Sequence, residues 1–135
     1  MGTLVTSLLQ TVHPWLGYIM VAALLVAAAV AFNRAKYARE YRPGVFVLVM
    51  VAVDVQVLLG LLIYGLTSSW ESRPEIAYLH PLVGLVALGA GHAALRRARN
   101  EQMAVDANRA AGRGMLATLV LILIAIGIAS APAFL

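Results

Sequence analysis

Four long apolar runs constrain this chain more than any other feature. They cover approximately residues 14–33, 44–66, 75–95 and 114–135. Each is close to the roughly 20 residues that a helix needs to cross a hydrocarbon layer of about 30 Å. Charged residues make up only 12% of the chain, about half the share usual in globular proteins, and a soluble domain of this size could not bury so much apolar surface. The sequence therefore predicts a single all-α integral membrane domain with four spans.

The connections and the charges predict how the spans are arranged. Short connections between most spans favour an up-down-up-down four-helix bundle. Nine of the ten Lys and Arg residues lie in the segments 33–43 and 96–113, and basic residues concentrate in cytoplasmic loops. We therefore expect both segments in the cytoplasm, both termini on the extracytoplasmic side, and a multi-pass protein of the cell inner membrane. The same distribution argues against nucleic-acid binding, because the basic residues are those of solvated loops.

The beginning and the end of the chain leave alternatives open. Residues 3–12 alternate apolar and polar side chains at helical spacing, which predicts an interfacial amphipathic helix or first turns continuous with span one. Pro14 suits the first position of a helix, where its missing N–H costs nothing. Small residues near the end of span four, Gly127, Ala129 and Ala131, could form the seam of a homodimer.

Two histidines stand at equivalent places in spans one and three. His13 and His80 each precede a proline at the expected outer end of a span. In a simple four-helix bundle these spans run in the same direction and lie diagonally across the core, and a heme iron takes neutral imidazoles on its opposite faces. Gly17 and Gly84 follow each histidine by one helical turn, where a missing side chain leaves room for a flat macrocycle. The sequence predicts one heme b per chain, with His13 and His80 as ligands; the alternative is that each imidazole only hydrogen-bonds lipid headgroups.

The third histidine is expected to act separately. His92 follows His80 by twelve residues, which places it about 18 Å farther along the helix and about 120° around it. Its partner could be Met50, a second subunit or Asp54. The predicted boundaries, however, place Asp54 about two turns closer to the membrane centre. A polar contact inside the bundle is the expectation for His92.

Two more polar residues fall near the middle of span two. A carboxylate at mid-membrane costs on the order of 3 kcal/mol, so Asp54 is expected to be protonated or bonded to Gln56, to His92 or to a backbone carbonyl. Two functional alternatives for Asp54 are that it belongs to a proton relay or that it orients an imidazole as its hydrogen-bond partner. Gln56 is expected to join helices. The sequence groups His92, Asp54 and Gln56 as a polar cluster, and no residues with the spacing of a soluble catalytic site are present.

A motif in span two and the histidine of span three carry a family resemblance. The stretch Gln56–Gly60 reads Gln-Val-Leu-Leu-Gly, and the helix that follows His80 ends in Arg96-Arg97. These features resemble small four-helix membrane b-type cytochromes and, more specifically, one half of heme A synthase, in which a four-helix unit holds heme between two histidines. Asp54 before the motif and His80-Pro81 after it are also similar to a group of short bacterial membrane proteins.

The resemblance implies a function in electron transfer, with quinol or a larger respiratory or photosynthetic complex as partner. The chain differs from heme A synthase in having Pro14 and Pro81 after its two histidines, where that enzyme has Arg. The sequence therefore favours an electron carrier or an accessory subunit over an enzyme. Two alternatives stay open: a cofactor-free structural subunit of a larger membrane complex, and a heme-modifying enzyme like heme A synthase.

Overall fold

A computed structural model describes residues 2–130 and shows an all-α protein. The helices are α1 (Gly2–Lys36), α2 (Gly44–Leu66), α3 (His80–Asn100) and α4 (Ala104–Ser130). A short 3₁₀ turn, Ser69–Glu71, and one π-helical turn, Glu75–Leu79, precede α3. When the π turn is counted with α3, four helical segments are long and apolar enough to cross a membrane. The predicted all-α class and the four candidate spans are thus confirmed.

Small residues make up much of the interior of the bundle, and many large apolar residues lie on its outside. α1 packs against α2 and α4, and α3 packs against the same two helices, which leaves α1 and α3 diagonal to each other. The buried positions include Ala27, Ala28, Ala31, Ala87, Ala98 and Ala111. By contrast, Leu48 and Leu58 are 70% and 64% exposed. Small residues let helix backbones approach closely, and the outward apolar side chains are consistent with a lipid bilayer around the bundle.

α1 is longer than the predicted first span. It begins at Gly2, so residues 3–12 are continuous with the span and do not form a separate interfacial helix. Pro14 consequently lies inside α1 and not at its first position, which corrects the expected start of the span. A proline within a membrane helix is tolerated when neighbouring helices supply hydrogen bonds to the backbone groups around it.

α4 begins ten residues earlier than predicted, at Ala104 and not at Gly114. The reason is that its first turns are packed against the rest of the bundle, with Ala107 and Asn108 buried. The predicted end of span four at 135, including Ala131, lies outside the described residues.

Asn108 also joins the two basic segments at one end of the bundle. Its side-chain nitrogen donates to the backbone oxygens of Arg39 and Ala104, each at 2.8 Å. Tyr41 lies in the same region, where burial raises the pKa of its phenol and the positive charge of Arg99 acts in the opposite direction. The segments 33–43 and 96–113 therefore meet at the same end of the molecule.

Candidate functional site

A cavity of about 520 Å³ lies at the other end of the bundle. This volume falls within the roughly 300–1,000 Å³ of small-molecule sites. Its lining includes His13 and Gly17 of α1, Gln56 and Gly60 of α2, His80 and Gly84 of α3, and Ala125 and Ile126 of α4. The described lining contains no Asp, Glu, Lys or Arg. The structure thus brings together both predicted ligand histidines, both predicted glycines and Gln56 in one uncharged cavity.

The two imidazoles face each other across a short distance. The ring centroids of His13 and His80 are 6.2 Å apart, and the ring planes make an angle of 79°. Two imidazole–metal bonds of about 2 Å, with about 1 Å more from each nitrogen to its ring centre, would separate the centroids by about 6 Å. Since each ring can turn about its own bond to the metal, nearly perpendicular planes are compatible with ligation from opposite sides. The distance between the two ring centroids therefore matches the one expected with a single metal between the rings.

His80 has the hydrogen bond that a metal-ligating histidine needs. Its Nδ1 lies 2.8 Å from the backbone oxygen of Ala125. A carbonyl oxygen only accepts, so Nδ1 must carry the hydrogen and donate it. Nε2 then keeps its lone pair, and the ring is held in a fixed orientation by α4.

The backbone around His80 is irregular in a way that Pro81 explains. The ring of a proline clashes with the carbonyl four residues before it, here that of Ala77, and removes one helical hydrogen bond. The π turn Glu75–Leu79 widens the helix at this point, and the N–H of His80 donates to the oxygen of Glu75. Single π turns of this kind occur frequently at functional sites.

His13 is held by close packing and not by a hydrogen bond of its ring. Its Nδ1 is buried without a partner among the described residues. A Cβ atom added to Gly60 would lie 3.0 Å from Cε1 of His13 and 3.5 Å from its Nε2. Gly60 therefore leaves the space that the ring occupies. The motif Gln56–Gly60 includes this glycine but did not predict its contact with His13, although its position one turn after Gln56 on the same helix face was a usable signal.

Gln56 joins α2 to α1 directly behind the histidine. Its Nε2 donates to the backbone oxygen of His13 at 2.9 Å. A Cβ atom on Gly17 would lie 3.4 Å from the same nitrogen, so Gly17 faces this hydrogen bond as well as the cavity. At Gly84 the space is more open, with the nearest atom to an added Cβ, in Val57, at 3.9 Å. Oε1 of Gln56 is buried without a partner in the described chain.

The predicted polar cluster is divided between two places. Nε2 of His92 lies 2.7 Å from Oδ1 of Asp54, away from the cavity, while Gln56 bonds to His13. The expected separation of two turns between His92 and Asp54 was wrong. The cause is the inner end of α3, which lies at Asn100 and not at Leu95; five more residues place His92 about 7.5 Å deeper from that end.

The described residues contain no group of three or more His, Cys, Asp or Glu side chains that could hold a metal ion. A site for a bare metal ion is therefore not supported. Two imidazoles supply only two ligands, so a metal between His13 and His80 would need its remaining ligands from elsewhere, as the four nitrogens of a heme macrocycle provide.

Comparisons with known proteins supply no relative from which a function could be transferred. No family model matches the chain, and no curated protein or solved structure matches it. The resemblance to membrane b-type cytochromes thus stays a prediction from the sequence.

Proposed function

We propose that the protein binds one heme b per chain between His13 and His80 and transfers electrons within a membrane. One observation carries the proposal: two imidazoles from the diagonal helices α1 and α3 meet at 6.2 Å in an uncharged cavity. The hydrogen bond from His80 Nδ1 to Ala125 adds to it, because it leaves Nε2 free as a ligand atom.

Each residue of the site has a separate task in this function. His80 and His13 would hold the heme iron, the first oriented by α4 and the second by packing on Gly60. Gly17 and Gly84 have no side chain that would fill the cavity beside the two histidines. A bound heme would supply one-electron redox chemistry, while the apolar helices exclude water from it.

We further propose that the bundle is up-down-up-down, with the cavity and both termini on the extracytoplasmic side of an inner membrane. The cavity is lined by the early parts of α1 and α3 and the late parts of α2 and α4, as alternating helix directions require. The basic segments lie at the opposite end, which is the cytoplasmic end by the positive-inside rule. Exposed aromatic residues near the cavity end, Trp15, Tyr18 and Tyr78, suit an interface with lipid headgroups.

The electron-transfer partner in this proposal is quinol or a larger respiratory or photosynthetic membrane complex. The connections between the described helices are short, from residue 37 to 43, from 67 to 74 and from 101 to 103. They form no extramembrane domain on which a soluble carrier could dock. A partner that lies within the bilayer meets the exposed apolar helix faces directly.

The visible spectrum of the protein purified in detergent tests the heme. We expect a Soret band that shifts on reduction with dithionite, sharp α and β bands, and one heme per chain by pigment assay. A protein expressed with ample heme that shows no Soret band contradicts the proposal.

That outcome would favour the second candidate, a cofactor-free structural subunit of a larger membrane complex. The bonds from Gln56 to His13 and from His92 to Asp54 support it, because both join helices without any cofactor. Mass analysis of the extracted pigment tests the third candidate, a heme-modifying enzyme: an accumulated modified heme would favour it over an electron carrier.

Gly60→Ala should weaken heme binding without unfolding the protein. The new methyl group would lie 3.0 Å from Cε1 of His13, so the ring has to move by a few tenths of an ångström and the ligand geometry is lost. We expect a heme content several-fold below wild type after equal purification. Gly65→Ala is the matched control on the same helix, because an added Cβ there meets nothing within 4 Å. Equal heme content in the two variants would show that contact with Gly60 does not position His13.

A further inference from the structure

The ion pair between His92 and Asp54 lies on the outside of the bundle. The two side chains are 53% and 34% exposed, and their contact at 2.7 Å joins α3 to α2. Both residues belong to candidate membrane spans. Ionisable side chains in membrane spans almost always face the protein interior or a water-filled cavity. The described helices of one chain provide neither for this pair, so a partner other than lipid chains is needed to cover it.

Each member of the pair has an atom free for a further hydrogen bond. Nε2 of His92 and Oδ1 of Asp54 bond to each other. Nδ1 of His92 and Oδ2 of Asp54 have no partner among the described residues. In the ion-paired state both ring nitrogens of His92 carry hydrogen, and the carboxylate only accepts. The outer surface therefore presents an N–H donor beside a charged acceptor.

The surface around the pair permits close approach of another helix. Gly89 and Ala93 are exposed on the same face of α3 as His92, since positions three and four apart are neighbours on a helix. A Cβ atom added to Gly89 meets nothing within 4 Å. Small residues let two helix backbones come together in a membrane, where interhelical hydrogen bonds add to the association.

We propose that a second copy of this chain covers the face formed by Gly89, His92 and Ala93, about a two-fold axis. Nδ1 of His92 in each copy donates to Oδ2 of Asp54 in the other, so that two ion pairs close into a ring of four side chains. A two-fold axis brings a surface against itself, and a surface with donor and acceptor side by side is complementary in charge to its own copy. The proposal goes beyond the heme function and does not depend on it.

Disulfide cross-linking in native membranes tests this interface, because the chain contains no cysteine. Gly89→Cys should give a covalent dimer on mild oxidation, in a yield several-fold above that of two control variants. The controls are Gly65→Cys on α2 and Gly127→Cys on α4, where an added Cβ also meets nothing within 4 Å. Equal yields at all three positions, or no dimer at Gly89→Cys, would overturn the proposal. Preferential cross-linking at Gly127→Cys would overturn it too, in favour of the α4 seam.

Exchange of the pair tests the reciprocal hydrogen bonds. In the Gly89→Cys background, His92→Leu and Asp54→Leu should each lower the dimer yield several-fold. The double exchange His92→Asp with Asp54→His should restore it, because each copy again carries both partners. Single variants that cross-link like the parent, or an exchange that restores nothing, would contradict the assignment. Heme content measured on the same samples reports separately on the cavity.

Discussion

His80→Ala should abolish the low-spin heme spectrum of the protein. The substitution removes the imidazole whose Nδ1 is fixed by the oxygen of Ala125 at 2.8 Å, and with it one of the two proposed ligands. We expect the sharp α band of the reduced-minus-oxidised spectrum to fall at least about ten-fold per protein. His13→Ala should have the same effect, because the low-spin spectrum requires both of the histidines that would hold the iron.

Two controls separate loss of a ligand from loss of structure. His92→Ala should keep the wild-type spectrum, since His92 pairs with Asp54 on the outer surface and does not line the cavity. Added imidazole should restore the low-spin spectrum of His80→Ala, because the deleted ring leaves a space of its own size beside Ala125. A wild-type spectrum in both His13→Ala and His80→Ala would refute the proposed ligands. A spectrum lost only in His92→Ala would assign the ligand to that residue.

The convergence of His13 and His80 could be predicted because it depends on coarse features. Each histidine stands one residue before a proline in an alternate apolar run. In a four-helix bundle, alternate helices place equivalent positions at the same end and diagonally across the core, whatever the details of packing. Errors of a few residues at the helix ends do not disturb this relation, because both histidines lie near the outer end.

The pairing of His92 with Asp54 could not be predicted because it depends on fine register. At 1.5 Å per residue, a five-residue error in the end of α3 is about 7.5 Å in depth, which decides whether two side chains touch. The continuation of α1 through Pro14 was hidden for another reason. The early turns of α1 contact α2 and line the cavity in the assembled bundle, and local sequence preferences carry no information about those contacts. The contact of Gly60 with His13 is likewise a property of the assembled bundle.

The largest effect on stability is expected for Gly114→Ala, where α4 packs against α3. A Cβ atom at this position would collide with Cβ of Ala94. A methyl group on a helix backbone has no rotamer with which to move aside, so the two helices must separate. Overpacking of a core costs about 1–3 kcal/mol, against a gain of about 1 kcal/mol from replacing glycine by alanine within a helix. Since the collision is with a group fixed to the backbone, we expect an overpacking cost in the upper part of the range of about 1–3 kcal/mol. This cost exceeds the gain from replacing glycine, so the variant should have a clearly lower melting temperature in detergent.

The same helix supplies the control, and the neighbouring helix supplies the rescue. Gly127→Ala adds the same methyl group to α4 where it meets nothing within 4 Å, so the variant should melt at or slightly above the wild-type temperature. Gly91→Ala should be less destabilising than Gly114→Ala, because the atoms nearest to its added Cβ are side-chain atoms, two of the flexible Met50 and then Oγ1 of Thr118, and none is fixed to a helix backbone as Cβ of Ala94 is. The double variant with Ala94→Gly should recover most of the loss at Gly114→Ala, which a double-mutant cycle measures as coupling between the two sites. If Gly114→Ala melts as high as Gly127→Ala, or if Ala94→Gly recovers nothing, the close contact of α3 and α4 at this point does not limit stability.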